Sequence, residues 1–140
     1  MKQQETCIFC KIARGEAPVI TVFEDARTFV FMDINPANEG HTLVISKAHF
    51  DNLLDVEEVD LNAVGRTTQR VARAIYRSLE PDGVRISQFN GAAAGQTVFH
   101  YHVHLVPMRA GQRVSRHGRE PGNLEQIEAV AAKIRGALDE

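Results

Sequence analysis

A run of alternating histidine and apolar residues between 95 and 107 constrains the fold of this chain more than any other feature. His100, His102 and His104 stand at every second position, which is the period of a half-buried β-strand. On a strand, the side chains of residues i and i+2 lie on the same face, about 6.6–6.8 Å apart. The residues between the histidines are apolar and suited to a core: Tyr101, Val103 and Leu105. The sequence therefore predicts a strand that carries three imidazoles in a row on one face.

A loop of small residues at 90–95 comes just before this strand, and Thr97 follows the loop. Because little side-chain bulk stands in such a loop, its backbone N–H groups can approach an anion closely. A row of histidines beside an anion-accepting loop indicates chemistry on a phosphate group. Two alternatives stay open, a metal site and a surface strand that is merely rich in histidine. The second is the weaker, since three of the chain's six histidines fall at one spacing beside the loop.

The composition excludes several classes of protein. The chain has 140 residues, enough for one domain with a core, and 44% of them are hydrophobic. Its formal net charge of -2 gives no electrostatic reason to expect nucleic-acid binding. No apolar run is long enough to span a bilayer, and the polar start lacks the apolar segment of a signal peptide. We therefore expect a cytoplasmic protein with neither a membrane nor a nucleic acid as its partner.

The remaining strands and the order of the elements predict the fold class. Strands are expected at 21–24, 28–33, 41–47 and 84–90, separated by turn residues. Hairpin-ordered strands come first, a long helix follows, and two further strands and a last helix complete the chain. This order predicts an α+β fold, with an antiparallel sheet of about five strands and helices on one side. A single domain should span 1–140, with no repeats and no linker.

Three helical segments accompany these strands. A short helix or tight turn is expected at 7–15. Asp55 and Glu58 have the spacing of an N-cap and its N3 partner, and predict the start of a long helix that stops at 81–83. Its buried face would consist of Leu61, Val64, Val71, Ile75 and Leu79. The last helix, with Asn123 as its N-cap, would bury Leu124, Ile127, Ala131, Ile134 and Leu138.

At this point the sequence resembles a known family. The pattern His-x-His-x-His followed by two apolar residues is similar to the signature of the histidine triad (HIT) family. Segments 7–12, 31–36, 40–45 and 47–49 resemble the other segments of that family, in the same order. The resemblance covers about 7–107 and is closest to the Hint-like branch of nucleotide hydrolases. Residues 108–140 form a divergent loop and helix.

The resemblance implies a homodimer with one sheet continuous across the interface. We expect the long helix and the strand beside it to be buried there, with both active sites facing outward.

The resemblance implies a covalent mechanism for the histidines. His102 would attack the α-phosphorus of a nucleotide and form a nucleotidyl-histidine intermediate that water then hydrolyses. The other ring nitrogen of His102 should then be held by a hydrogen bond, we expect to a backbone carbonyl. His104 would contact the non-bridging phosphate oxygens, and His100 completes the catalytic triad. The groups implied to cradle the same phosphate are Asn90, Gly95, Gln96 and Thr97.

The resemblance also assigns a nucleoside site. Asp33 would bind the ribose hydroxyls of a purine nucleotide, and no organic cofactor is expected. The residues implied to line the base are apolar: Ile8, Phe9, Ile12, Phe31 and Ile34. Plain core packing is the alternative for these apolar residues. His41 lies near the triad in the family, and either orients a catalytic group or is a buried histidine with a satisfied hydrogen bond.

Cys7 and Cys10 form a C-x-x-C pair, half of a tetrahedral metal site. In a bacterial-type subset of the branch, the resemblance adds His49 and His100 and implies a closed, structural zinc site. A thioredoxin-like redox pair is an alternative, although such a pair follows a strand at the start of a helix and this one does not. Two unconnected thiols are the other alternative.

Two further functions compete with the nucleotide hydrolase or nucleotidyl transferase. One is a nucleotide-binding regulatory module with little turnover, which would have no need of a nucleophile at His102. The other is a metalloenzyme that binds one catalytic metal with all three triad histidines. That reading is disfavoured because the outer histidines of a regular strand lie about 13 Å apart. The arginine-rich loop at 109–119 could contact substrate or nucleic acid, but a solvated loop accounts for it equally.

Overall fold

One antiparallel sheet of five strands organises the structure, which is a computed structural model. The structure describes residues 3–113 and 120–138, so 114–119, the second half of the predicted 109–119 loop, lies outside the described residues. The strands are β1 (Thr21–Glu24), β2 (Thr28–Met32), β3 (Thr42–Ser46), β4 (Gly83–Ser87) and β5 (His102–Met108), and their order in the sheet is β1-β2-β3-β5-β4. The helices are α1 (Ile8–Ala13), α2 (Glu58–Leu79) and α3 (Leu124–Leu138). The predicted α+β fold with a five-stranded antiparallel sheet is confirmed.

The alternation predicted for the histidine strand is also confirmed. β5 pairs with β3 on one side and β4 on the other, and His104 lies opposite both Leu43 and Ser87. The ladder with β3 ends at the pair of Ile45 and His102. Beyond it, the Tyr101 N–H donates to the carbonyl of residue 50 at 2.7 Å. His100 therefore precedes β5 instead of lying within it.

The two faces of the sheet are covered by different helices. α2 and α3 pack on the face that carries Tyr101, Val103 and Leu105, and these side chains join their core. α1 packs on the opposite face through Phe9 and Ile12. The order of the elements placed the helices on one side only, which holds for α2 and α3. The short helix predicted at 7–15 is present as α1, but it covers the other face, which the sequence pattern did not predict.

The predicted start of the long helix is wrong. α2 begins at Glu58 with Glu57 as its N-cap, and Glu57 makes no side-chain capping bond among the described residues. Asp55 belongs instead to a preceding turn, where its N–H donates to the Asn52 carbonyl at 3.1 Å. The Asn52 side chain closes the same turn by accepting from the Leu54 N–H. The side chain of Asn52 therefore stabilises a turn that includes Asp55, and Asp55 cannot act as the N-cap of α2.

The ends of the other elements follow the sequence with small departures. Asn123 caps α3 as predicted, because its Oδ1 accepts from the Gln126 N–H at 3.0 Å. Leu124 remains 59% exposed, whereas Val130, which the pattern did not assign to the buried face, is in the core. β4 ends at Ser87, three residues before the predicted end of that strand. Within 3–113 and 120–138, no helix combines the length and apolar character needed to cross a membrane.

Candidate active site and metal site

A cavity of about 320 Å³ opens between α1, the end of β2 and β5. Its wall includes every apolar residue that the resemblance assigned to the base: Ile8, Phe9, Ile12, Phe31 and Ile34. Phe9, Ile12 and Phe31 also belong to a buried core cluster, so core packing accounts for part of their placement. Core packing does not account for Ile8 and Ile34, which are 46% and 50% exposed. A cavity of this size with a mostly apolar wall suits a small organic ligand.

The polar groups of this cavity are few and come from three elements. They are Asp33, Asn35, Thr97, His102 and His104. The cavity therefore brings together two of the triad histidines, the predicted ribose ligand and one residue of the predicted phosphate loop.

His102 is held in one tautomer. Its Nδ1 lies 2.6 Å from the carbonyl oxygen of His100, and only an N–H can make that contact favourable. The ring proton is thus on Nδ1, and the electron pair is on Nε2. The ring is 8% exposed and packs edge-to-face against Phe9 at 5.0 Å between centroids. The backbone carbonyl partner that a nucleophilic histidine requires is present.

His41 fixes the tautomer of His104. The Ala37 N–H donates to His41 Nδ1 at 3.0 Å, so the proton of the neutral His41 ring must be on Nε2. His41 Nε2 lies 3.0 Å from His104 Nδ1 and donates to it. His104 Nδ1 therefore accepts, and the His104 proton is on Nε2. Both readings of His41 hold together: it is buried with a satisfied hydrogen bond, and it orients a triad residue.

Asp33 completes a buried cluster with His41 and His104. One Asp33 carboxylate oxygen accepts from the Asn35 N–H at 2.8 Å, and the other lies 3.7 Å from His41 Nε2. The ligand atoms of Asp33, His41 and His104 lie within 4.8 Å of one another, and imidazole and carboxylate are both metal ligands. A metal on His41 Nε2 would force the ring proton onto Nδ1, where it would oppose the Ala37 N–H. The hydrogen bonds therefore favour a proton-bearing cluster over a metal site.

The small-residue loop is a single 3₁₀ turn, Ala92–Ala94, between two glycines with positive φ, Gly91 and Gly95. Gln96 closes this loop and is only 4% exposed. Its Oε1 accepts from the Gly91 N–H at 2.8 Å, while its Nε2 donates to the carbonyl of Asp51 at 2.6 Å. Both ends of the amide are thus engaged by backbone, and the side chain of Gln96 holds the loop in shape.

Asn90, Gly95 and Gln96 do not line the cavity itself. Asn90 Oδ1 accepts from the Leu53 N–H at 2.9 Å and from Gln88, so the amide oxygen is already engaged. The Phe89 ring contacts His104 at 5.5 Å and lies beside the Gly95 turn, which keeps this segment next to the triad. Through Phe89, the segment that carries Gly95 therefore lies next to His104 without lining the cavity.

The four residues of the predicted metal site converge. Cys7, Cys10, His49 and His100 place one ligand atom each within 4.8 Å of one another. Cys7 Sγ lies 3.3 Å from His100 Nδ1, and Cys10 Sγ lies 3.4 Å from His49 Nδ1. Zn–S bonds of about 2.3 Å and Zn–N bonds of about 2.0–2.1 Å in a tetrahedron separate sulfur from nitrogen by about 3.6 Å. The donor set and its spacing therefore fit a tetrahedral zinc ion.

Both histidines of this set are in the tautomer that a metal requires. His100 Nε2 donates to the Ser46 carbonyl at 2.6 Å, and His49 Nε2 donates to the Asp51 carboxylate at 3.1 Å. Both Nδ1 atoms thus present electron pairs to the cysteines, an outer hydrogen-bond arrangement typical of zinc sites. Burial lowers the pKa of His100 to about 4, so its ring is neutral at pH 7. Burial raises the pKa of the Cys10 thiol, which a divalent cation would reverse by binding the thiolate.

Several residues that contribute to the site were not predicted from the sequence. Ser46 acts through its backbone carbonyl, and Ala37 acts through its backbone N–H; neither group has any signal in the sequence. Asp51 could have been suspected, because a carboxylate commonly accepts from the second ring nitrogen of a metal-ligating histidine. The cavity also has apolar wall residues that the resemblance did not assign: Pro18, Val19, Met32, Leu43 and Val98.

Comparison with known proteins agrees with this geometry. A family model for the HIT domain matches residues 14–111. Protein hit of Bacillus subtilis is 42% identical over 103 residues, which cover 74% of this chain and 71% of that protein. An adenylylsulfatase of Arabidopsis thaliana is 36% identical over 106 residues, which cover 76% of this chain and 54% of that protein.

Solved structures show the same fold over nearly the whole chain. A Hit-like protein of Bartonella henselae has a TM-score of 0.91 at 38% identity, covering 98% of this chain and 99% of that one. A zinc-bound histidine triad family protein of Mycobacterium smegmatis has a TM-score of 0.85 at 40% identity, covering 96% of this chain and 94% of that one. With His102 and His104 on β5, His100 two residues before His102, and the domain model matched over residues 14–111, the chain belongs to the histidine triad (HIT) family.

Proposed function

We propose that this protein is a nucleotide hydrolase or nucleotidyl transferase that acts at the α-phosphate of purine nucleotide conjugates. The observation that carries the proposal is the pair of fixed tautomers in the cavity: an electron pair on His102 Nε2 and a proton on His104 Nε2. One group is a nucleophile and the other is a hydrogen-bond donor. A pure binding module would have no use for the first.

In the first step, the His102 Nε2 electron pair forms a bond to the α-phosphorus. The bond to the leaving group breaks, and the leaving group departs with that electron pair. The attacking ring becomes positively charged, and the His100 carbonyl stabilises it through the 2.6 Å hydrogen bond to Nδ1. In the second step, water attacks phosphorus, and the N–P bond breaks with its electron pair returning to His102 Nε2, which releases neutral His102 and a nucleoside monophosphate. Over the two steps, the proton that water loses balances the proton that the leaving group takes up.

His104 acts on the charge that develops at the phosphate. Its Nε2–H donates to a non-bridging oxygen, and the Thr97 hydroxyl, which lines the same cavity, donates to the same phosphate. Because the loop before Thr97 is already held by Gln96, little reorganisation is needed when charge develops. Asn90 and Gly95 would act through the shape of this loop, since neither lines the cavity.

The apolar wall and Asp33 would hold the nucleoside. A flat purine suits the space between Ile8, Phe9 and Phe31, and the Asp33 carboxylate suits the ribose hydroxyls. The leaving group is the least constrained part of the substrate. Nucleoside phosphoramidates and dinucleoside polyphosphates fit the chemistry, and the adenylylsulfatase relative adds adenylyl sulfate as a third conjugate with a leaving group on the α-phosphate.

Turnover and binding of His102→Ala test this function. The variant should lose hydrolysis of an adenosine phosphoramidate, while adenosine monophosphate should still bind because Asp33 and Thr97 are unchanged. His102→Gly with added imidazole should regain part of the rate, since free imidazole can enter the vacated space and attack phosphorus. Wild-type protein that binds nucleotide but turns over no phosphoramidate, dinucleoside polyphosphate or adenylyl sulfate would identify a binding module instead.

We also propose that the metal site binds a structural zinc ion through Cys7, Cys10, His49 and His100. The fit of their separations to a tetrahedral ion supports this, as does the zinc-bound relative from Mycobacterium smegmatis. All four positions around the ion would be filled by protein, so zinc would supply cross-linking of the chain and no chemistry on the substrate.

A twofold dimer is the assembly that the surface favours. β4 is an edge strand, and its Ile86 is 48% exposed. Ile86 lies opposite Leu105, and opposed residues of antiparallel strands point to the same face, so Ile86 lies on the face that α2 covers. An exposed edge with an apolar side chain needs cover. Pairing of β4 with its copy would supply that cover and leave both cavities accessible.

A further inference from the structure

One residue belongs to both the metal site and the active site. The His100 ring donates to the Ser46 carbonyl and presents Nδ1 to the cysteines, while the carbonyl oxygen of the same residue accepts from His102 Nδ1. The side chain of His100 is fully buried. The ring of one buried residue thus contacts the metal site while its carbonyl holds the proposed nucleophile, so a shift of the His100 backbone would affect both sites.

A second connection runs from the metal site to the phosphate loop. His49 Nε2 donates to the Asp51 carboxylate at 3.1 Å, and the Asp51 carbonyl accepts from Gln96 at 2.6 Å. Gln96 in turn accepts from the Gly91 N–H at 2.8 Å. Three hydrogen bonds thus link His49, one of the four metal-site residues, to Gly91 at the start of the 3₁₀ turn.

The third connection is α1. This helix carries Cys10, its N-cap is Cys7, and the residues between and beyond them form one wall of the cavity. A helix of six residues is far shorter than the roughly 12–15 residues at which isolated helices become even marginally stable in water. Its position therefore depends on tertiary contacts, and the two sulfurs supply two of them.

We propose that the metal site organises the active site as well as stabilising the fold, and that His100 and Asp51 are its positioning residues. The proposal rests on the function proposed above and extends it. A tetrahedral divalent cation such as Zn²⁺ would fix α1, the segment around His49 and the His100 peptide at one point. The base wall, the nucleophile and the phosphate loop would then be set together. Metal occupancy and nucleotide affinity are consequently coupled, and each should raise the other by the same factor.

The test uses the full chain loaded with Zn²⁺ and the same chain after removal of the metal by a chelator. In the loaded protein, the proton on His102 Nδ1 should give a sharp, downfield ¹H–¹⁵N signal because its hydrogen bond is short and buried. On metal removal that signal should broaden or shift, while the amide signals of β1, β2 and α3 remain. Adenosine monophosphate should bind about tenfold more weakly to the metal-free protein. Zn²⁺ should bind about tenfold more tightly in the presence of adenosine monophosphate.

Asp51→Ala tests the second connection with all four ligands in place. This variant should still bind one zinc ion, keep the His102 signal, shift the Gly91 and Gln96 amide signals, and bind adenosine monophosphate several-fold more weakly. Asp55→Ala, which removes an exposed carboxylate four residues along, is the matched control and should change none of these. The Asp51 variant remains informative even if the metal-free protein unfolds.

Each outcome decides the proposal. An unchanged His102 signal and an unchanged nucleotide affinity in folded, metal-free protein would overturn it, as would an Asp51→Ala protein identical to wild type with zinc bound. If adenosine monophosphate binds neither form, the proposed function fails, and the His102 signal still decides whether the metal sets the geometry of that ring.

Discussion

His41 should control the rate of the chemical step through its hydrogen bond to His104. Its Nε2–H is the donor that keeps the His104 proton on Nε2, and it has no place among the residues that line the cavity. Replacement by leucine keeps a side chain of similar size but removes both the donor and the acceptor. We expect His41→Leu to lower the rate of the chemical step without abolishing it.

The magnitude follows from the hydrogen bond. A hydrogen bond between neutral partners contributes about 0.5–1.5 kcal/mol, which corresponds to a rate loss of about 2- to 13-fold if it is used fully in orienting His104. Loss of the His104 donor itself should cost about 10²–10³-fold, the usual cost of removing such a group. The stability of His41→Leu should also fall, by about 1–3 kcal/mol, because the buried Ala37 N–H loses its acceptor.

Single-turnover rates of four proteins check this: wild type, His41→Leu, His104→Ala and the double variant, all well below their unfolding temperatures. Because His41 acts on the chemical step through His104, the double variant, measured with saturating substrate, should be no more than about twofold slower than His104→Ala. His41→Gln, whose amide nitrogen can donate from nearly the same place, should recover part of the rate. Additive losses in the double variant, or full activity in His41→Leu, would refute the reasoning.

Three other perturbations have defined outcomes. Cys10→Ser should lose stoichiometric zinc and melt at a lower temperature, and a chelator should lower the melting temperature of wild type but not of this variant. Glu80→Gly should raise the free energy of unfolding in urea by about 1 kcal/mol, because Glu80 sits at φ 49° after α2 and glycine adopts that conformation without strain. Ile86→Lys should shift the protein from dimer to monomer in analytical ultracentrifugation at micromolar concentration, whereas a wild-type monomer would contradict the edge-strand interface.

The sequence determined the fold where side chains alternate in clear periods. The histidine strand is the best case, because Tyr101, Val103 and Leu105 pack on one side while His102 and His104 lie on the other, as a period of two requires. The antiparallel pairing of β1, β2 and β3 followed from their short connections, whereas the position of β5 between β3 and β4 was not predicted. The N-terminal helix α1 was placed less well, since its position depends on the two cysteines and on Phe9 packing against the sheet, both of which are long-range contacts.

The identity of the site residues came from spacing and family resemblance, but their roles came from backbone groups. The carbonyls of Ser46 and His100 and the N–H of Ala37 decide which nitrogen of each histidine bears a proton. These groups are the same in every residue, so no sequence pattern reveals them. Asp55 failed as a helix cap for a related reason, because the Asn52 side chain closed a local turn that the spacing rule did not consider.

We propose that His102 forms a covalent bond to the α-phosphorus, and trapping of the nucleotidyl-histidine is the most direct test of this mechanism. Wild-type protein mixed with a slowly hydrolysed purine nucleoside phosphoramidate should be quenched at alkaline pH, digested and examined by mass spectrometry. We predict one nucleotidyl group on the peptide that contains His102, lost on brief acid treatment as a phosphoramidate must be, and absent from His102→Ala. Normal turnover without any such adduct, together with near-normal activity in His102→Ala, would contradict the mechanism.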